Sequence, residues 1–340
     1  MIIVLKPGVS DEEVQHIVKK IESLGLKTHI SKGVERTIIG AIGDEAILRE
    51  KPLDAISGVE KVLPVVEPYK LASRSFHPDK TIIKVGDIEI GGNTISVAAG
   101  PCTVETEKQT IETAIAVKKA GANLLRGGAF KPRTSPYAFQ GLGKKGLEIL
   151  KKAKEETGLP IVTEVMDTRD VDAVMDFADV VQIGARNVQN FNLLKEVGKG
   201  KKPIILKRGL STSIQEFLMS AEYIMSEGNL NVILCERGIR TFETATRNTL
   251  DISVIPVVGK MSHLPIMIDP SHAAGYKQFV PSLSFAAIAA GCDALLIEVH
   301  INPEEAMVDG AQSLNPKQLA EFMKTAQRIA GAVDKKIGTL

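Results

Sequence analysis

The chain has 340 residues, enough for one large domain beside a small one, with 44% hydrophobic and 24% charged residues. Its 42 basic and 41 acidic side chains leave a formal charge of +1, which excludes a bulk polyanion-binding surface and a nucleic-acid partner held by one. No apolar run reaches the roughly 18 residues of a membrane span, MIIVLKPGVSDEEV lacks the basic flank of a secretory signal, and Cys102, Cys235 and Cys292 are too few for a disulfide framework, so a cytoplasmic location is expected.

Residues 1–70 form a self-contained pattern. MIIVLKP reads as a strand, and SDEEVQHIVKKIESLG as an amphipathic helix in which Ser10 and Glu13 make a capping box. LKTHI, TIIGAIG, a short helix near EAILREK, and VEKVLPV follow. The order β-α-β-β-α-β is the ferredoxin-like arrangement, a small sandwich suited to binding an effector or to assembly. Residues 71–93 read as a linker, within the polar KLASRSFHPDK, and a short hairpin, TIIKVGDIEIGG, turning at Gly86-Asp87.

From residue 94 to 340 apolar strands alternate with helical segments. TISVAAGPC precedes ETEKQTIETAIAVKKAG, ANLLRGGAF precedes KKGLEILKKAKEETG, PIVTEV precedes TRDVDAVMDFA, and VVQIGARN precedes QNFNLLKEVG. The second half continues with PIILKRG and SIQEFLMSAEYIMSEG, NVILCERG and TATRNTLDIS, PIMIDPSH and SLSFAAIAAG, DALLIEVH and NPKQLAEFMKTAQRIAG. Eight such units predict a parallel sheet buried on both faces and closed into a (β/α)8 TIM barrel, an α/β fold preceded by the small α+β domain. No G-x-G-x-x-G follows the first strand, so the dinucleotide-binding alternative has no support.

A barrel of this kind works where its strands end. Cys102, His272, Glu298 and Asp309 fall at or after the ends of strands one, seven and eight, which closure makes neighbours. A thiolate, an imidazole and two carboxylates are ligands for one divalent metal ion, with Mn, Zn, Fe and Co all suited. Arg126, Lys131, Arg186, Lys207 and Arg237 come from strands two, four, five and six. Glu164 and Glu236 offset only part of that charge, so the excess calls for a multiply anionic substrate of phosphate and carboxylate groups. A metal opposite an anion site suits addition of one anionic metabolite to the carbonyl of another. The loop GGAFKPRTSPYAFQG adds Arg133, Thr134 and Ser135 behind Lys131, more polar function than a turn needs.

The blocks AGPC, LRGGAFKPRTSPYAFQGLG, QIGARN, LKRG, CERGIRTFE, IDPSH and IEVH occur in this order. They resemble 3-deoxy-D-arabino-heptulosonate 7-phosphate synthases of the type Iβ branch, and HISKGVERTIIG resembles the ferredoxin-like regulatory extension of some members. The resemblance implies condensation of phosphoenolpyruvate with erythrose 4-phosphate, the first step of the shikimate pathway. It implies metal ligation by the same quartet and phosphoenolpyruvate binding by the five cations. Arg133, Thr134 and Ser135 would face erythrose 4-phosphate, with Asp269 near its hydroxyls, and Lys131 would give a proton to the new alkoxide. Glu236 is a candidate for the group that activates the attacking water. It further implies a homotetramer regulated by tyrosine or phenylalanine, bound with the help of His29 and Ser31. Three other readings compete: the sibling 3-deoxy-D-manno-octulosonate 8-phosphate synthase, which uses arabinose 5-phosphate, a Schiff-base aldolase using Lys207, and a non-catalytic amino-acid sensor. The sibling carries Lys-Ala-Asn-Arg where this chain has Lys131-Pro132-Arg133-Thr134.

Overall fold

A computed structural model describes residues 1–33, 36–44, 46–49, 51–64 and 67–339. Val34 and Glu35 of HISKGVERTIIG, Glu45 and Glu50 of EAILREK, and Val65 of VEKVLPV lie outside the described residues. The chain divides into two compact units, Met1–Pro68 and Tyr69–Leu340.

In the first unit β1 (Ile2–Leu5), α1 (Asp11–Glu22), β2 (Lys27–Lys32), β3 (Thr37–Ile42), α2 (Ala46–Arg49) and β4 (Val59–Leu63) follow in order. The sheet runs β2-β3-β1-β4 and is antiparallel throughout, the ferredoxin-like layout. Helix α1 begins where expected, because Ser10 Oγ accepts from the Glu13 amide and the Glu13 carboxylate accepts from Ser10 N–H at 3.1 Å. Val14, Ile17, Val18 and Ile21, one stripe at helical spacing, are buried against Ile3, Leu5 and Ile39. Each buried side chain of this size contributes about 1.5–3 kcal/mol.

The second unit opens with a packed strap rather than a free linker. The amides of Lys70, Leu71 and Ala72 donate to the Glu222 carboxylate at 3.0, 2.9 and 2.9 Å, and Tyr69 and Ala72 join the core. Three backbone groups of KLASRSFHPDK are thus satisfied by one half-buried partner rather than by solvent. A hairpin of β5 (Ile83–Val85) and β6 (Ile88–Ile90) follows. Its Ile83, Val85, Ile88 and Ile90 meet Leu124, Val180 and Ala294, filling the barrel interior where strands begin.

The barrel strands are β7 (Thr94–Gly100), β8 (Leu124–Arg126), β9 (Ile161–Val165), β10 (Val180–Ile183), β11 (Ile204–Lys207), β12 (Val232–Glu236), β13 (Ile266–Ile268) and β14 (Ala294–Glu298). All neighbours are parallel, and closure pairs β14 with β7 from Ala294↔Ser96 to Glu298↔Gly100. Around them lie α3 (Glu107–Ala120), α4 (Lys144–Thr157), α5 (Val171–Phe177), α6 (Phe191–Gly198), α7 (Ile214–Ser226), α8 (Val254–Met261), α9 (Pro270–Ala274), α10 (Val280–Ala289) and α11 (Pro316–Ala332). A last short strand, β15 (Lys336–Ile337), pairs with Thr94 and Ile95. Among the described residues no helix is long and apolar enough to cross a membrane.

One expected helix is a loop. TATRNTLDIS stays irregular and α8 starts only at Val254. Its Thr, Asn, Asp and Ser side chains bond locally instead, as Thr246 Oγ1 does with Asn248 O at 3.0 Å and Ser253 Oγ with the Asp251 carboxylate. That irregular loop reaches back over the strand ends.

Candidate active site

Cys102 stands just past β7, Glu298 is the last residue of β14, and Asp309 sits in the loop after it with φ 55°. A Cβ on Gly100 would lie 2.1 Å from Arg126 O, so glycine alone lets β7 pass this close to β8 before turning toward Cys102. His272 rides on α9, whose capping residue Asp269 accepts the His272 amide at 2.9 Å. One ligand atom from each of Cys102, His272, Glu298 and Asp309 lies within 4.8 Å of the others. Cys102 Sγ is 3.2 Å from Asp309 Oδ2, and His272 Nε2 is 3.3 Å from Glu298 Oε1 and 4.0 Å from Asp309 Oδ2.

Burial holds His272 down to about 4, so the imidazole is neutral despite the pull of Asp269 and Glu298. Its Nδ1–H donates to Asp269 Oδ2 at 2.7 Å, which turns the Nε2 lone pair toward the two acids. Burial and the Glu298 charge push the Cys102 thiol up, outweighing the opposing pull of Lys131 and Arg126. Burial opposes ionisation of Asp309, yet the Lys131 and Arg247 charges hold it well below the usual carboxylate range. A neutral imidazole, a thiol and two acids converging on one point fit a single divalent transition metal ion by the chemistry of the donor set.

A cavity of about 690 Å³ opens beside the cluster. Its wall carries Lys131, Arg133, Thr134, Ser135, Arg186, Lys207, Arg237, Arg240, Arg247 and Glu164. Lys131 Nζ donates to Cys102 Sγ at 2.6 Å and stands 3.5 Å from Asp309. Lys207 is tied to Asp269 at 2.5 Å. Arg186 reaches Thr134 Oγ1 at 3.1 Å, Arg133 a carbonyl at 3.4 Å, and Arg237 two carbonyls at 3.5 Å. Burial lowers Arg237 from its ordinary value, the mark of a cation short of compensation. Among the described residues, Arg133, Arg186 and Arg237 pair with no carboxylate, so the wall holds net positive charge for an anion.

Glu164 lines this volume along with Asp309, and is the carboxylate there outside the donor cluster. Its Oε2 accepts from Gln182 Nε2 at 2.9 Å, while Oε1 is buried without a hydrogen-bond partner. A Cβ on Gly184 would sit 2.1 Å from that oxygen, so the glycine leaves it room. Burial raises the Glu164 acid, with Lys131 and Lys207 opposing.

Three expected residues lie elsewhere. Glu236 does not line the cavity: its carboxylate accepts from Arg208 at 3.0 Å and Gly238 N–H at 2.6 Å, because outward-facing Arg208 offers it a buried cation. Asp269 is fully buried beneath His272 and Lys207 rather than open to a ligand's hydroxyls. Arg126 lines a smaller inner recess and donates to Glu298 Oε1 at 2.8 Å. His29 and Ser31 are exposed residues two apart on edge strand β2, hence on one face. Arg247 and Gln312 were not anticipated. Arg247 comes from an irregular segment and Gln312 from a short 3₁₀ turn after β14, and no sequence spacing marks them.

Comparison with known proteins agrees with this geometry. The sequence model of the DAHP synthetase I family matches residues 74–335, and that of the DAHP synthase ferredoxin-like domain matches residues 1–67. The chain is 51% identical over 337 residues to the phospho-2-dehydro-3-deoxyheptonate aldolase of Thermotoga maritima, covering 99% of this chain and 100% of that one. A crystal structure of a phospho-2-dehydro-3-deoxyheptonate aldolase (DAHP synthase) from T. maritima superposes with a TM-score of 0.93 at 49% identity, covering 99% of both chains. A 2-dehydro-3-deoxyphosphooctonate aldolase of Syntrophotalea carbinolica is 33% identical over 270 residues, 74% of this chain and 96% of its own.

Proposed function

The chain belongs to the DAHP synthetase I family, and from that premise we propose that it joins phosphoenolpyruvate to erythrose 4-phosphate at a divalent metal held by Cys102, His272, Glu298 and Asp309. The products are 3-deoxy-D-arabino-heptulosonate 7-phosphate and inorganic phosphate. The observation that carries the reading is the juxtaposition of a four-donor cluster with cations that lack carboxylate partners, in one cavity.

Arg186, Lys207 and Arg237 hold the phosphate and carboxylate of phosphoenolpyruvate, with Lys131 at the boundary between anion site and donor cluster. Arg126, by its bond to Glu298, acts on the cluster from behind and keeps one carboxylate oxygen aimed at it. Arg133, Thr134 and Ser135 hold the phosphate of the aldehyde sugar, which brings its carbonyl toward the cluster. The metal, when bound, supplies Lewis acidity to that carbonyl. C3 of phosphoenolpyruvate attacks the aldehyde carbon, and the Lys131 ammonium gives a proton to the oxygen released from the double bond. Water adds at C2 and gives a proton to Glu164, a cavity-wall carboxylate whose Oε1 has no hydrogen-bond partner. The bond between C2 and the phosphate oxygen then breaks, the C2 hydroxyl becomes the ketone, and its proton leaves with the phosphate. Lys207 serves as an anion-holding ammonium because Asp269 pairs with it, which speaks against a Schiff base formed on its lone pair.

The N-terminal unit is a regulatory domain in this reading, with His29 and Ser31 contributing to an aromatic amino-acid site in a homotetramer. An unchanged rate at saturating tyrosine and phenylalanine, with deletion of residues 1–68 altering only oligomeric state, would overturn that part.

The deciding experiment measures phosphate release from phosphoenolpyruvate with erythrose 4-phosphate or arabinose 5-phosphate, with and without chelator. Turnover with the four-carbon sugar alone, abolished by chelation and restored by Mn²⁺, is the expected result. Preference for arabinose 5-phosphate would move the chain to the octulosonate reaction, and full activity in chelator would remove the metal.

A further inference from the structure

Each acid of the donor cluster has one oxygen turned inward and one turned out. Glu298 Oε1 faces His272 Nε2 and Arg126, and Asp309 Oδ2 faces Cys102, Lys131 and His272. The outer oxygens are held by two residues given no role so far: Gln312, and Arg247 at the cavity wall. Gln312, buried, donates from Nε2 to Glu298 Oε2 at 2.6 Å. Its Oε1 accepts from Arg247 Nη1 at 2.9 Å, and the same Nη1 lies 3.3 Å from Asp309 Oδ1. One continuous chain, Glu298–Gln312–Arg247–Asp309, thus joins the two carboxylates from outside.

The chain is anchored at both ends. Gln312 N–H donates to Asp309 O at 3.2 Å, and Ser313 Oγ to the same carbonyl at 3.1 Å, which helps keep Asp309 in its left-handed backbone conformation. Arg247 and Asn248 donate their amides to Ala274 O and Ala273 O of α9 at 3.0 and 2.8 Å, and Asn248 Nδ2 reaches His272 O at 3.2 Å. The loop that replaces the expected helix therefore touches His272 and Asp309 directly and Glu298 through Gln312.

We propose that Gln312 and Arg247 form a tie-bar that sets which oxygen of Glu298 and of Asp309 faces the metal, making both positioning residues. The inference rests on the metal-site reading above. A carboxylate can rotate about its last bond and offer either oxygen or both, and one hydrogen bond to the outer oxygen removes that freedom. An ion pair as exposed as Arg247 with Asp309 adds little to stability, so its contribution is to geometry. Arg247 also lines the cavity, so the tie-bar ends where an anionic substrate arrives.

The test titrates the metal-free protein with Co²⁺, reading the thiolate-to-cobalt charge-transfer band and the visible d–d bands, with chelator competition for affinity. Gln312→Met keeps the volume and removes both polar groups, and Arg247→Gln removes the charge from an exposed side chain without disturbing the core. Each is expected to weaken Co²⁺ about 10- to 100-fold and to shift the d–d bands. The double variant should lose no more than the worse single, because either change breaks the same chain. Arg247→Lys, which keeps the charge but not the forked geometry, should recover only part of the loss. Arg247→Gln carries the test if Gln312→Met does not fold. Wild-type affinity and spectrum in the variants, with a normal band in the wild-type protein, overturn the tie-bar alone. A wild-type protein with no thiolate band removes the metal-site reading itself and the tie-bar with it.

Discussion

Asp269→Asn changes one atom at the junction between the donor cluster and the anion site. The Asp269 carboxylate accepts three hydrogen bonds: from His272 N–H at 2.9 Å, from His272 Nδ1–H at 2.7 Å, and from Lys207 Nζ at 2.5 Å. Burial opposes its charge, yet His272 and Lys207 hold it well below the usual carboxylate range. Asparagine can keep the capping bond to the His272 amide through its carbonyl. It cannot keep the ion pair, and its NH₂ group, standing where Oδ2 was, faces both Lys207, as a second donor, and His272 Nδ1. Removing one member of a buried pair costs roughly 3–5 kcal/mol. Donation to Nδ1 would move the imidazole proton to Nε2 and spoil a metal ligand, and losing such an outer partner weakens metal binding about 10- to 100-fold. Guanidinium denaturation of chelator-treated protein reads the first effect, and Co²⁺ titration through the charge-transfer band reads the second. An unchanged denaturation midpoint would refute the energetics of the Lys207 pair. Unchanged cobalt affinity would refute the role of Asp269 in setting the tautomer.

Arg133→Ala should raise KM for erythrose 4-phosphate at least tenfold more than KM for phosphoenolpyruvate, and steady-state kinetics with equal effects on both would sink the division of the KPRTS loop between two substrates. Arg208→Met should cost roughly 3–5 kcal/mol in urea denaturation by stranding Glu236, and Arg208→Met with Glu236→Gln should restore much of it; no recovery in the double variant would count against the pairing. Burial lowers the pKa of His263, whose Nε2–H donates to Leu71 O at 2.7 Å, so the unfolded chain binds its proton more readily. Its contribution is complete above pH 6.5 and is lost as pH falls toward the lowered folded value; stability measured from pH 7.5 to 5 should therefore drop less steeply in His263→Gln, and parallel curves would exclude the linkage. Gly184→Ala places a methyl 2.1 Å from Glu164 Oε1 and should cut kcat by about tenfold or more while binding of phosphoenolpyruvate by calorimetry changes less, whereas a wild-type kcat would remove Glu164 from the water step.

Much of this molecule is written in local pattern. The capping box at Ser10, the stripe on α1 with its period of 3.6 and the eight continuous apolar runs all depend on neighbours in sequence. The convergence of Cys102, His272, Glu298 and Asp309 was legible as well, since closure of a (β/α)8 barrel makes the ends of β14 and β7 adjacent whatever the loops do. Direction around the barrel rim was not legible. Lys207 and Arg208 are consecutive, and alternation sends one to Asp269 and the cavity and the other to Glu236 and Asp251 outside it. Glu236 and Asp269 instead form buried ion pairs, and Glu164 and Asp309 line the cavity. Arg247 and Gln312 lie 65 positions apart and meet at 2.9 Å because one loop failed to become a helix. Composition and spacing specify which groups this chain owns and which strand carries them. Which oxygen meets which nitrogen depends on burial and on competition among partners far apart in sequence, and only the folded chain decides that.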